Sequence, residues 1–141
     1  MSQLAAMYEA FSGLTCQVIR REFDWLLYFD EARAVVLTAP WRIVSEGRIA
    51  FADQDDGQKF GHPEPIAGEA KANGLIGGRV VTAITVEPIS SDLTITFKGG
   101  VTLELFNGSA GYEAWQADFP SKYGNQVAIG LGGGGVSMVS R

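Results

Sequence analysis

Leu4, Met7, Tyr8 and Phe11 recur at i, i+3, i+4 and i+7, the spacing that sets four apolar side chains on one face of a helix. A helix over about 3–12 follows, with Gly13 placed to end it. From residue 16 the apolar period falls to two, and strands are predicted at 16–22, 25–29, 33–38, 41–45 and 48–52. Asp53 to Gly61 is polar and contains glycine, so it reads as a loop. Pro63 to Asn73 opens on proline, contains several alanines and precedes Gly74, which suits a short helix. Strands resume at 79–87, 92–97, 101–106, 112–118, 126–130 and 135–139. The predicted class is mainly β, α+β only in the sense of one or two short helices.

Parity fixes one hairpin. Leu93, Ile95 and Phe97 alternate with threonines, and Val101, Leu103 and Leu105 alternate with Thr102 and Glu104. Opposed residues on antiparallel strands point to the same side of a sheet. A two-residue Gly99-Gly100 loop would set Phe97 against Thr102 and mix the two faces. A three-residue Lys98-Gly99-Gly100 loop sets Phe97 against Val101, Ile95 against Leu103 and Leu93 against Leu105. The second register is predicted.

The same device is predicted earlier, with Asp30-Glu31-Ala32 between Trp25, Leu27, Phe29 and Arg33, Val35, Leu37. A shift of 68 lays Phe29 on Phe97 and Leu37 on Leu105, and Gly13-Leu14 echoes Gly74-Leu75. Trp41 then falls in the place of Trp115. Two tandem β-meander repeats, 13–73 and 74–141, are expected within a single domain of 1–141. They would form a curved sheet, a sandwich or a partly open barrel. Ala32 stands where Gly100 stands in the second copy, and alanine adopts positive φ poorly.

Composition narrows the function. A chain of 141 residues buries about two-thirds of its unfolded surface, enough for one core. Residues 1–73 hold 7 basic and 11 acidic residues, and 74–141 hold 4 and 5, so neither half is basic. Nucleic acid and anionic membranes, which need clustered cations, are not expected partners. No apolar run has the length of a membrane span, and the N-terminus lacks the pattern of a secretory signal. A single cysteine, Cys16, fits a reducing, cytoplasmic setting.

With one histidine and one cysteine, most metal and nucleophile arrangements fall away. Gly130 to Gly135 satisfies G-x-G-x-x-G, but only six residues follow, too few for the crossover helix of a dinucleotide site. The run reads instead as a turn between two strands, and no cofactor is expected. Asp53-Gln54-Asp55-Asp56-Gly57 has its glycine fifth, where a calcium loop needs it sixth. His62 and Glu64 stand close in sequence without a ligand set around them, so no metal is expected. No acid–base constellation stands out, and enzymatic activity is not the expected reading. Tyr112, Glu113 and Trp115, in a glycine-flanked string, are the binding candidates, with Trp41 as the repeat's counterpart of Trp115 and His62 as the lone imidazole.

That string, Gly111-Tyr112-Glu113-Ala114-Trp115, resembles the G-Y-E-x-W motif of a family of small bacterial proteins of unknown function. Leu75 to Val80 resembles its G-L-x-G-x-x-V segment, and Gly130 to Gly135 its glycine-rich C-terminal segment. The resemblance covers roughly 74–139, with echoes from 13 to 53, and implies no activity. The expectation is a binding or assembly module without enzymatic activity that self-associates by covering its sheet edges. One alternative is an immunity-type inhibitor whose acidic residues, Asp53 to Asp56 and Glu64, meet a basic protein partner. Another is a small-molecule or enzymatic site in a cleft between the repeats.

Overall fold

The computed structural model describes residues 3–141. Helix α1 (Gln3–Phe11) leads into a meander of β1 (Gln17–Arg20), β2 (Trp25–Asp30) and β3 (Arg33–Leu37). The chain then crosses to β4 (Trp41–Ser45) and β5 (Arg48–Ala52), makes a 3-10 turn at Asp53–Asp55, and enters α2 (Gly68–Ile76). A second meander follows, of β6 (Val81–Val86), β7 (Leu93–Phe97) and β8 (Val101–Leu105). The chain crosses back to β9 (Trp115–Ser121), β10 (Gly124–Gly130) and β11 (Val136–Ser140).

The strands form two antiparallel sheets that do not close into a barrel. One has the order β1-β2-β3-β9-β10-β11 and the other β5-β4-β8-β7-β6. Each meander ends against the strand that begins the other half's crossover. Leu37 of β3 pairs with Trp115 of β9, and Leu105 of β8 pairs with Trp41 of β4. Both sheets contribute to one buried core. Trp25 of the six-stranded sheet meets Trp41 of the other edge-on, 5.1 Å between ring centroids, with Phe51 beside both. Helix α1 buries Met7 and Phe11, and Phe11 lies 4.9 Å from Phe29 and 6.2 Å from Phe119.

The Lys98-Gly99-Gly100 hairpin has the predicted register, Phe97 to Val101, Ile95 to Leu103 and Leu93 to Leu105. Gly100 has φ +77°, the left-handed conformation that a three-residue loop needs. The earlier hairpin reaches the same result differently. Leu27 pairs with Val35 and Trp25 with Leu37 as expected, but at the tip Asp30 pairs with Arg33 and a bulge sits at Phe29. The bulge absorbs the odd residue within the strand, so Ala32 is spared a positive φ. Asp30 holds this tip, accepting from the Ala32 N–H and pairing with Arg33 at 2.9 Å.

Two elements begin three or more residues later than expected. Helix α2 starts at Gly68, not Pro63, because Pro65 disfavours a helical Glu64 and the Asp56 carboxylate caps the Gly68 N–H at 2.9 Å. It runs through Gly74, where it was expected to stop, and so buries Ile76. Strand β9 begins at Trp115, not 112. The Ser109 hydroxyl accepts from the N–H groups of Gly111 and Tyr112 and holds that stretch in a turn. Pro120 continues β9 only beyond the point where β3 stops pairing with it, so no ladder bond to β3 is missing there.

Candidate functional site

The five sequence candidates do not converge. Trp115 and Trp41 are 1% and 2% exposed, which corrects their candidacy: neither side chain presents a surface to a partner. Trp115 lies across Gly130, its cross-strand neighbour, and its indole N–H donates to the Ser91 carbonyl at 2.7 Å. Trp41 belongs to the aromatic core, and among the described residues its buried Nε1 has no acceptor. Tyr112 is 84% exposed and Glu113 is exposed beside it, both in the loop before β9. His62 is exposed in the loop between the 3-10 turn and α2. Among the described residues, no hydrogen bond or ion pair joins its side chain to the other four.

The glycine run has a packing role. It forms the turn between β10 and β11, closed by the Leu131 N–H on the Gly135 carbonyl at 3.0 Å. A Cβ on Gly134 would overlap the Ile89 carbonyl oxygen, so this turn nests directly on the β6–β7 loop. Asn107 ties the three loops together. Its side-chain amide donates to the carbonyls of Ser90 and Leu131 and to the Ser91 hydroxyl, and its own N–H meets Asp92 at 2.7 Å. Asn107 and Ser91 carry no sequence signal beyond being polar residues in loops.

The carboxylates of the 53–56 stretch are also spoken for. Asp53 accepts from the Trp41 N–H, Asp55 from the Ala52 N–H, and Asp56 from Gly68 while pairing with Arg20 at 3.3 Å. They bond to three different parts of the chain. Burial pushes the Asp53 carboxyl above the ordinary value, against the hydrogen bonds from Trp41 and Gln54. Its ionised form is therefore a net cost to the fold at neutral pH, and the cost disappears as pH falls through the raised pKa. Asp53→Asn keeps an acceptor for the Trp41 N–H. It is expected to melt higher than the native chain at neutral pH, with the difference closing in acid; thermal melts across the carboxylate range check this.

Cys16 is buried, and loss of solvation pushes its thiol up to about 12. The thiolate is the reactive form. Native protein is expected to leave an aromatic disulfide reagent unreacted over the period in which urea-unfolded protein reacts fully. Fast labelling of the native chain would contradict this burial.

What remains open is one edge and the groove beside it. Among the described residues, the other three sheet edges are blunted along part of their length. Along β1, Asn73 of α2 accepts from the Val18 N–H at 2.7 Å and donates to its carbonyl at 2.8 Å. Glu69 takes the Arg20 N–H, and Gly78 donates to Cys16. Along β6, Val81 exchanges two 2.8 Å bonds with Gly13 and Leu14, and the Val86 N–H meets the Tyr8 hydroxyl. Strand β5 carries a bulge at Ala50, and Asp55 caps its last N–H. Covering helices, bulges and charges are the usual ways of blunting an edge.

Among the described residues, strand β11 has none of these. It reads Val136-Ser137-Met138-Val139-Ser140, with five consecutive pairs to β10 and neither charge nor proline. The flanking bonds, Leu131 to Gly135 and Arg141 to Asn125, fix its parity. Residues 137 and 139 bond inward to β10, so Val136, Met138 and Ser140 turn N–H and C=O outward. The same three direct their side chains to the inner face, where Met138 and Ser140 line a groove of about 710 Å³. Ala6 and Ala10 of α1 form the opposite wall, and Phe119 and Gln126 lie between.

The two outer faces also differ. Across the six-stranded sheet one outward row runs Ile19, Leu26, Val36, Gln116, Ile129, Ser137, and the next runs Gln17, Tyr28, Ala34, Asp118, Val127, Val139. Across the other sheet the corresponding row is Ala52, Arg42, Glu104, Thr94, Thr85, with Arg42 and Glu104 paired at 2.7 Å. The open edge thus belongs to the sheet with the more apolar outer face.

Among the described residues no helix is long and apolar enough to cross a membrane. Comparison of the chain with protein-family models, with curated proteins and with solved structures returns no match.

Proposed function

We propose that the protein is a bacterial binding and assembly module that works without enzymatic activity and self-associates by adding a strand at β11. The observation that carries this reading is the contrast between edges: three are blunted, and the fourth exposes the backbone groups of Val136, Met138 and Ser140 in line. Strand addition supplies main-chain hydrogen bonds for affinity, and the adjoining groove receives alternate side chains. The buried thiol suits the cytoplasm. Two stretches that follow the same order, a three-stranded meander and then a crossover to two further strands, support the reading of 13–73 and 74–141 as copies of one unit. In that scheme β11 is the element without a counterpart, added after the second copy of the β4–β5 pair. Membership of the G-Y-E-x-W family is part of the same proposal, with the motif's tryptophan as a packing residue.

Light scattering coupled to gel filtration tests the reading. The expected mass is twice the 15.1 kDa chain at high loading, falling toward one chain on dilution. A mass of one chain at every loading would overturn self-association.

A further inference from the structure

We infer that the strand added at β11 is β11 of a second copy, antiparallel, with the two-fold axis at Met138. This rests on the assembly reading above and names its partner and register. Because Val136, Met138 and Ser140 all turn their backbone outward, centring the axis on Met138 pairs Val136 with Ser140, Met138 with Met138, and Ser140 with Val136 of the second copy. Each pair exchanges two N–H···O bonds, so every outward donor and acceptor of the strand is used. An axis at Val136 or Ser140 keeps the parity but leaves only one such pair within the strands.

Side chains and charge fit the same register. On the outer face Ser137 meets Val139 of the second copy, and no charged residue opposes another. Arg141 falls opposite Gly135 of the second copy, a residue with no side chain, while its guanidinium lies 3.1 Å from Asp118 of its own chain. The two Arg141 residues sit at opposite ends of the new ladder. On the inner face the row Phe119, Gln126, Ser140 continues onto Val136 of the second copy, so each copy lengthens the floor of the other's groove. The product is a two-fold, self-complementary contact that joins two six-stranded sheets into one of twelve.

Single-cysteine cross-linking under mild oxidation reads the register, with native protein, whose Cys16 is buried, as the silent control. Met138→Cys is expected to form a disulfide-linked dimer alone. Ser137→Cys and Val139→Cys are expected to link only when the two proteins are mixed, since each faces the other across the axis. Linkage of Val139→Cys or Ser137→Cys alone, in a chain that light scattering shows to be a dimer, would overturn this register and leave assembly standing. A dimer with no link at any of the three positions would do the same. A monomer at all loadings, with no variant linked, would overturn both.

Discussion

Met138→Pro is expected to leave the fold intact and to remove the dimer. The Met138 N–H points away from β10, so a proline there takes no bond from the ladder within the chain. It does remove the donor at the two-fold axis from both copies and sets two rings against each other. Two lost backbone bonds with this clash amount to about 3 kcal/mol, or roughly 100-fold in Kd. The cost to the monomer is confined to the half-buried Met138 side chain, about 1 kcal/mol. Ser137→Pro makes the contrast. Its N–H faces β10 within the ladder, so proline there breaks a bond inside the chain and lowers the melting temperature. Sedimentation equilibrium and thermal melts on the two variants separate the effects. Equal loss of stability in both would show that β11 does not have this parity.

Gly130→Val is expected to damage the fold severely. Any Cβ at this position would stand within the Trp115 indole, at Nε1, Cδ1 and Cε2. The ring has no free side to move to. Its N–H is bound to the Ser91 carbonyl, and Ser91 is itself fully buried with φ +63°. Overpacking costs about 1–3 kcal/mol, and a buried carbonyl left without its donor about 1–3 more. A total of about 4 kcal/mol is a large share of the stability of a domain this size. The mechanism predicts strong coupling. In a Trp115→Ala background, Gly130→Val fills space instead of colliding, so the two losses are less than additive. Urea unfolding of both single variants and the double measures this, and simple additivity would exclude the indole as the cause.

The legible parts of the fold were those that parity writes into the chain. The 97–101 register could be read because glycines mark the turn and threonines mark the polar face. The tip at Asp30–Arg33 could not, because a bulge at Phe29 corrects the parity inside a strand, where no turn residue announces it. Gly74 reads as a stop, yet α2 gains by burying Ile76 beyond it; burial outweighs the propensity of one glycine.

For the site, Trp115 and the glycine run were both conspicuous, and both turned out to pack against each other. Conspicuous residues of large area serve cores and interfaces equally, so composition does not separate the two. The groove and the edge were hidden for another reason. Which strand ends a sheet depends on strand order, and order is set by contacts between the halves that no local pattern encodes. Two signals were present all the same. Trp25-Leu26-Leu27-Tyr28-Phe29 is apolar on both faces, which marks the sheet with the more apolar outer face. Val136 to Ser140 carries no charge, which is unusual for a strand that ends a sheet.

Amide hydrogen exchange along β11, measured at high and low protein concentration, tests the pairing most directly. Ser137 and Val139 are expected to be protected at both concentrations, held by β10, while Val136, Met138 and Ser140 gain protection only where the chain is dimeric. If Met138 exchanges as fast in concentrated as in dilute protein, this edge holds no strand, and the assembly it was given does not exist.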